Sequence, residues 1–333
     1  MKNNKNIKIL VVGGAGFIGS HMVKMLLELD YQVSTFDNLS SGHRDAVTGG
    51  NFFEGDLANQ DDLRSVIKNN SFDCVMHFAS SIEVGESIID PKKYYRNNLI
   101  NTINLLNQII RSKIQYFIFS STAAVYGNPK SIPISEDHIK DPINPYGNTK
   151  LMIERVLNDY RRAYDLKFIS LRYFNAAGCD PDGLLGERHE PETHLIPLVL
   201  RAASGRNKSI KVFGNDYETK DGTCVRDYIH VHDICDAHIK SMRYLMDGGH
   251  SQCINLGNGS GFSVNEIIET AKKVTNKDFN IISENRRIGD PDILIADSSR
   301  AEKILNWKPI YSSLDEIVSH AWDFEKNYQV EDK

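Results

Sequence analysis

The run Ile7-Lys8-Ile9-Leu10-Val11-Val12 leads without a break into Gly13-Gly14-Ala15-Gly16-Phe17-Ile18-Gly19. An apolar strand, a turn that needs glycine and the first turn of a helix follow one another directly. The string satisfies both G-x-x-G-x-x-G and G-x-G-x-x-G. Glycines here allow the tight turn, the approach of backbone to a pyrophosphate and close packing of helix on strand. The helix then meets the phosphates with free N–H groups and the positive end of its dipole. Asp37 closes the next strand at the distance this arrangement requires. Its carboxylate is able to accept from both ribose hydroxyls and would repel a 2′-phosphate, so the expected cofactor is NAD and not NADP. Asp56, in Gly55-Asp56-Leu57, ends the third strand, where it either caps the adenine amino group or serves a turn.

The first half of the chain repeats the alternation. Strands are expected at Ile7–Val12, Gln32–Phe36, Asn51–Phe53, Asp73–Phe78, Tyr116–Ser120 and Lys167–Phe174, with helices at Phe17–Leu29, Gln60–Lys68, Pro91–Arg111 and Tyr146–Tyr164. Pro145 suits the first turn of the last helix and Asn144 its cap. This rhythm defines an α/β fold, a doubly wound parallel sheet of the Rossmann type. After Asn175 it breaks. Ala176–Glu192 is rich in Gly, Pro, Asp and Glu and reads as a long loop. Short strands (Ile210–Phe213, Cys253–Leu256, Phe279–Ile282) and helices (Leu195–Ser204, Ile234–Met246, Val264–Thr275, Leu314–Glu325) follow. The expected division is a dinucleotide-binding domain over 1–175 and a smaller, mixed α/β substrate lobe over 176–333, with a return to the first domain near 229–245.

A net charge of −5 offers no basic field for nucleic acid. No apolar run reaches the roughly 18 residues that span a bilayer. Met1–Asn6 is short and polar, a frayed terminus and not a signal peptide. The five cysteines, Cys74, Cys179, Cys224, Cys235 and Cys253, are scattered and include no CxxC pair. That fits reduced thiols in the cytoplasm and argues against a disulfide frame or a structural zinc site. His230-Val231-His232-Asp233, with His238 nearby, has a spacing that binds metal in some proteins. It reads better as a strand end feeding a helix, so no metal is expected. Trp307 and the many tyrosines read as core.

Tyr146-Gly147-Asn148-Thr149-Lys150 places a tyrosine and a lysine four apart on one helix face. An ammonium beside a phenol stabilises the phenolate and lowers its pKa toward working pH, giving a base for a hydroxyl proton. The spacing is common by chance. Its position downstream of the glycine turn, and after the hydroxyl-rich strand end Phe119-Ser120-Ser121-Thr122, gives it meaning. Thr122 is the candidate hydroxyl that bonds the reacting oxygen.

The glycine string, the stretch Ser120-Ser121-Thr122-Ala123-Ala124-Val125-Tyr126-Gly127 and Tyr146-x-x-x-Lys150 together resemble the extended short-chain dehydrogenases. Within them the chain is similar to the UDP-hexose 4-epimerases. The segments concerned include His77-Phe78-Ala79, Tyr94-Tyr95-Arg96-Asn97-Asn98, Arg172-Tyr173-Phe174-Asn175, Phe213-Gly214-Asn215-Asp216-Tyr217 and Asp221-Gly222-Thr223. Arg226-Asp227-Tyr228-Ile229-His230-Val231 and Arg286-Arg287-x-Gly289-Asp290 complete the set. The resemblance spans Ile7 to about Trp307. It implies Tyr146 as base and acid, Lys150 as its electrostatic partner and Thr122 as the second hydroxyl contact. It implies that Gly13, Gly16, Phe17, Ile18, Gly19, Asp37, Asn38, Asp56, Leu57, Phe78, Ala79, Asn97 and Phe174 line NAD together with Tyr146 and Lys150. Asn175, Leu195, Phe213, Arg226, Arg287 and Asp290 would hold the UDP half, for which guanidinium forks suit a diphosphate. Ile82 departs from the pattern: many relatives carry a lysine there that reaches a cofactor phosphate.

The implied reaction is reversible 4-epimerisation of a UDP-hexose through a 4-keto sugar, with NAD held between turnovers and a homodimer as the assembly. A nucleotide-sugar 4,6-dehydratase shares the first step but must also eliminate water. Relatives that do so have an Asp-Glu pair directly after the threonine, where this chain has Ala123-Ala124. Epimerases of UDP-pentoses or UDP-uronates remain alternatives. Substrate breadth is implied by Leu294, four residues after Asp290. Relatives with tyrosine at that position take glucose and galactose only, so leucine predicts that UDP-N-acetylglucosamine and UDP-N-acetylgalactosamine are also accepted.

Overall fold

The computed structural model describes residues 4–287 and 290–328. Gly289 of the Arg-Arg-x-Gly-Asp stretch and Met1–Asn3 lie outside them. The glycine turn is preceded by β1 (Lys8–Val12), and β2 (Gln32–Asp37), β3 (Asn51–Glu54), β4 (Cys74–His77), β5 (Tyr116–Thr122) and β6 (Lys167–Tyr173) follow. They form one seven-stranded sheet with a last strand, Gln252–Leu256, in the order Gln252–Leu256, β6, β5, β4, β1, β2, β3. Every neighbouring pair is parallel.

Side chains alternate across this sheet, as strand geometry requires. Ile9, Val11, Met76, Ile118 and Ile169 face the helices Phe17–Glu28 and Val231–Met246. Leu10, Val12, Val75, Phe117 and Phe168 face the helices Gln60–Asn69, Asn101–Arg111 and Pro145–Tyr164. Both faces are covered, which explains the unbroken apolar strands. Asn144 caps the helix Pro145–Tyr164, its Oδ1 accepting from Gly147 N–H at 2.8 Å.

The return to the first domain is longer than expected. The helix Val231–Met246 lies against the sheet, and the strand Gln252–Leu256, expected in the second lobe, pairs with β6. The helix Ser299–Leu305 and the fully buried Trp307 join the same core. Trp307 Nε1 donates to Asp233 O, while the Asp233 carboxylate accepts from Ile310 and Tyr311 N–H. His230 Nδ1 accepts from His232 N–H and caps the helix. The strand-into-helix reading of this segment therefore describes the structure. The second lobe packs the helices Leu195–Ala203, Val264–Thr275 and Leu314–Asn327 around a parallel pair, Ser209–Phe213 and Asn280–Glu284. The expected loop after Asn175 opens with a strand, Asn175–Ala177, paired with Tyr228–His230.

The expected helix Pro91–Arg111 is interrupted by a π-helical turn at Tyr95–Ile100. Asn98, within this turn, is fully buried. Its Oδ1 accepts from Ser81 N–H at 2.8 Å and its Nδ2 donates to Ser81 O at 3.0 Å, so the helix is clamped to the loop after β4. Asn97 Nδ2 donates to Ser81 Oγ at 3.0 Å. Such bulges aim side chains that a regular helix would not.

Candidate active site

The glycine turn is shaped by contacts that exclude side chains. Gly13 has φ +82°, and a Cβ there would stand 2.4 Å from Ala79 N. Phe78 and Ala79 N–H both donate to Val12 O, at 2.8 and 3.1 Å, fixing that close approach. A Cβ on Gly19 would fall 2.0 Å from Gly13 O. Gly16 differs: a Cβ would meet only Gly13 O, at 3.5 Å. Gly16 also caps the helix Phe17–Glu28 with no side-chain acceptor, leaving the first-turn N–H groups of Phe17 and Ile18 for an outside anion. The cradle fits a pyrophosphate.

Asp37 is buried at the end of β2. Its Oδ2 accepts from Ala15 N–H and its Oδ1 from Leu39 N–H, each at 2.9 Å. The carboxylate thus ties the glycine turn to the strand end, a role the sequence did not suggest. Each oxygen keeps lone-pair capacity for a ribose hydroxyl. Next to it, Asn38 Nδ2 donates to Asp56 Oδ2 at 2.8 Å, and Asp56 Oδ1 accepts from Ala58 N–H at 2.7 Å. Leu57 is buried beside them. On the other side of the cleft Phe78 packs on the His238 ring at 4.7 Å.

Lys150 is fully buried on the helix Pro145–Tyr164. Its Nζ donates to Ser120 O at 2.8 Å and lies 5.8 Å from the centre of the Tyr146 ring. An ammonium has three donors. The protein supplies one acceptor among the described residues, which suits a hydroxyl-bearing ligand such as a nicotinamide ribose. The Thr122 side chain lies near enough to the Tyr146 hydroxyl to favour its ionised form. Thr122 Oγ1 accepts from Ala124 N–H at 3.1 Å, starting the short helical turn Ala123–Tyr126. Burial pushes Lys150 down to about 7, opposed by the Glu154 carboxylate one turn on. Burial pushes Tyr146 up to about 12, and the Thr122 side chain opposes it. The expected lowering of the phenol is therefore not a property of the protein groups alone.

Glu154, which the sequence did not single out, organises the wall behind this pair. Arg172 Nε and Nη2 donate to its two oxygens at 2.9 and 2.6 Å, and Ser121 Oγ donates at 2.6 Å. Arg172 Nη1 donates to Tyr126 OH, which donates to Asn255 Oδ1. The Ser120 and Tyr173 hydroxyls are bonded to each other. No sequence spacing links these groups; β5, β6 and the helix bring them together.

The residues expected to hold the UDP half lie on several segments of the second half of the chain. Arg226 is buried and its Nη2 donates to Asp290 Oδ1 at 2.5 Å. Arg287 is exposed and its guanidinium lies 4.1 Å over the Phe213 ring. Leu195 opens the helix Leu195–Ala203, and Asn175 N–H donates to Asp227 O. Leu294 lies on Ile293–Leu294, a strand in parallel register with Val225–Arg226. Its side chain, like those of Phe174 and Ala123, packs against the small core of Val125, Tyr126, Ile134 and Leu151. That places Leu294 beside the turn that starts at Thr122. Asp227 was another omission. Its Oδ1 accepts from Asn258 N–H at 2.7 Å, and its Oδ2 from Gly259 and Ala296 N–H at 3.1 Å each. It joins the turn after Gln252–Leu256 to the substrate lobe, the physical content of the Arg-Asp-Tyr-Ile-His-Val segment.

A glycine cradle at the end of β1, a buried aspartate at the end of β2 and a Tyr–Lys pair on the helix beside Thr122 are the parts of a dinucleotide-dependent enzyme. The chain belongs to the NAD dependent epimerase/dehydratase family, whose model matches residues 9–257. Within that family its resemblance runs to UDP-glucose 4-epimerases. It is 48% identical to that of Halalkalibacterium halodurans, over 96% of this chain and 96% of the relative. The structure of UDP-glucose 4-epimerase from Brucella ovis in complex with NAD matches with a TM-score of 0.94 at 46% identity, covering 96% of this chain and 98% of the other. The UDP-Glc/GlcNAc 4-epimerase of Campylobacter jejuni matches with a TM-score of 0.85 at 44% identity, covering 97% and 100%.

Proposed function

We propose that this chain catalyses the reversible 4-epimerisation of UDP-hexoses, interconverting UDP-glucose and UDP-galactose, with NAD retained at the glycine cradle. NAD when bound supplies the acceptor, and then the donor, of the hydride at C4. Tyr146 takes the proton from the 4-hydroxyl oxygen and returns it to the 4-keto sugar. Thr122, beside Tyr146, orients that oxygen. Lys150 places a positive charge beside the phenolate and offers its two remaining donors to the cofactor ribose. Arg226 and Arg287 hold the diphosphate, while the sugar turns between Thr122, Phe174 and Leu294. Residues 1–175 with the return segment carry NAD, and most of 176–333 carries UDP. The observation that carries this reading is the buried Lys150 ammonium, bonded to Ser120 O and held 5.8 Å from the centre of the Tyr146 ring.

Ala123 and Ala124 follow Thr122 in the turn above the site and offer no acid or base. This favours epimerisation over dehydration. Incubation with UDP-galactose, with no NAD added, should yield UDP-glucose. A 4-keto-6-deoxy product, or no conversion by a protein that carries NAD, would overturn the proposal.

A second substrate pair, UDP-N-acetylglucosamine and UDP-N-acetylgalactosamine, is favoured by the size of Leu294. We further propose a cytoplasmic homodimer through Pro91–Arg111 and Tyr146–Tyr164. Exposed Ile88, Ile89 and Ile100 beside and on the first of these segments support it, and sedimentation tests it. Among the described residues no helix is long and apolar enough to cross a membrane.

A further inference from the structure

We propose that Glu187, His189, Glu192 and His194 form a site for a divalent transition cation of the zinc class. The four stand in the sequence as Glu-x-His-x-x-Glu-x-His, in the segment that leads into the helix Leu195–Ala203. Each offers one donor atom, and these atoms lie within 4.8 Å of one another. His189 Nδ1 is 2.9 Å and His194 Nδ1 2.8 Å from Glu187 Oε1, and His194 Nδ1 is 2.9 Å from Glu192 Oε1. Zinc bonds of about 2.0–2.1 Å in a tetrahedron separate ligand atoms by roughly 3.3 Å, so small side-chain rotations suffice. Two imidazoles and two carboxylates are donors that zinc-class ions accept.

Burial gives the ion its reason. The Glu187 and Glu192 side chains are 5% and 1% exposed. Two buried carboxylates this close need positive charge between them, which either a protonated His194, within 2.9 Å of both, or a bound cation supplies. Glu192 Oε2 is buried without a hydrogen-bond partner, and the nearest guanidinium nitrogen, Arg201 Nη2, stands 3.9 Å away. Glu192 Oε1 accepts from Thr193 and His194 N–H, at 2.8 Å each, which orients the carboxylate toward His194. The spacing of these four residues matches none of the cysteine or His230–His232 patterns from which no metal is expected.

The location gives the ion a role. The His189 ring meets the Phe17 ring edge-on at the glycine cradle. Arg188 pairs with Asp45 through both oxygens, and its carbonyl lies 3.1 Å from His43 Nε2. Thr193 Oγ1 donates to Glu83 Oε2 at 2.6 Å. The segment is a strap across the loops that follow β2 and β4, and an ion would pin it at the start of the second lobe.

The test uses tag-free full-length protein carrying whatever cofactor it retains. After treatment with a chelator, Zn²⁺ alone is titrated in competition with a chromophoric chelator, and bound metal is counted after gel filtration. One ion per chain with submicromolar affinity is expected. Glu187→Gln and His194→Gln should each weaken it by about 100-fold or more. His320→Gln, which alters the separate His230–His320 contact, should leave it intact. Circular dichroism checks that the variants fold, and the wild-type stoichiometry decides the matter without them. Absence of bound zinc in wild type, or binding that survives in the folded Glu187→Gln and His194→Gln variants, would overturn the proposal and leave a proton-bridged cluster.

Discussion

Lys150 Nζ lies 5.8 Å from the centre of the Tyr146 ring and gives its hydrogen bond to Ser120 O and not to the phenol. The ammonium therefore acts on the tyrosine as a charge held in place by β5. Burial works against both groups, pushing Tyr146 up to about 12 and Lys150 down to about 7. The Glu154 carboxylate, itself held by Arg172, favours the charged lysine. Full activation of the phenol needs a further positive charge at its side, which a bound oxidised nicotinamide provides.

Tyr146→Phe removes the proton carrier and leaves the arginines alone. It should lower kcat by about 10²–10⁴-fold and leave UDP affinity within a few-fold of wild type. Steady-state rates with UDP-galactose, paired with calorimetry on UDP, measure the two separately. Turnover near the wild-type rate would remove Tyr146 from the chemistry.

Asp37→Ala should do two things at once. Loss of the ribose acceptor should weaken NAD and reduce the preference over NADP, measured by reconstitution with each cofactor. Ala15 and Leu39 N–H also lose their acceptor, at a cost of about 1–3 kcal/mol each where burial persists. An unchanged melting temperature would contradict the structural part, and an undiminished NAD preference the other.

Asp227→Asn puts an NH₂ where the carboxylate accepts backbone N–H groups, and should lower stability by about 2–4 kcal/mol at pH 7. Burial holds Asp227 up at about 6 despite those three donors. The sign follows from linkage. A carboxyl raised in the fold contributes stability fully present below about 3.8, the unfolded value, and lost as pH rises through about 6. The asparagine variant has no such contribution. The gap between wild type and variant in urea unfolding should therefore widen by about 1 kcal/mol from pH 7 to pH 5. A gap that narrows over that range would show the carboxyl to be depressed instead.

Leu294→Tyr should abolish turnover of UDP-N-acetylglucosamine and spare UDP-glucose, since a ring and hydroxyl fill the space beside Phe174 and Ala123. An apolar wall discriminates weakly, by about 1–3 kcal/mol for a group or two, so the wild type should turn over both pairs. Separation of product sugars by chromatography reads this directly. A wild type inactive on the N-acetyl pair would show that Leu294 is either not at the sugar or already large enough to exclude the acetamido group.

What was legible in the sequence was local. The glycine turn, the Tyr146–Lys150 spacing and the alternating strands each depend on residues a few positions apart. The pattern at Cys253–Leu256 reads as a strand of the second lobe, because its partner β6 is remote in sequence and strand patterns carry no address. The π-helical turn at Tyr95–Ile100 was invisible, since it goes with a contact between Asn98 and Ser81. Glu154, Arg172 and Asp227 were missed for the same reason: a buried charge looks like a surface charge until its partners from other elements are known.

The late strand Gln252–Leu256 has a consequence for synthesis. A ribosome finishes β6 long before it makes the strand that covers it. Through that interval the growing chain presents a bare parallel edge, with Ile169 and Leu171 nearby and the helix Val231–Met246 not yet available to cover them. The nucleotide half therefore cannot close on its own while emerging. A gene fragment ending near residue 175 should yield insoluble protein, and one extended past Trp307 should restore a complete sheet.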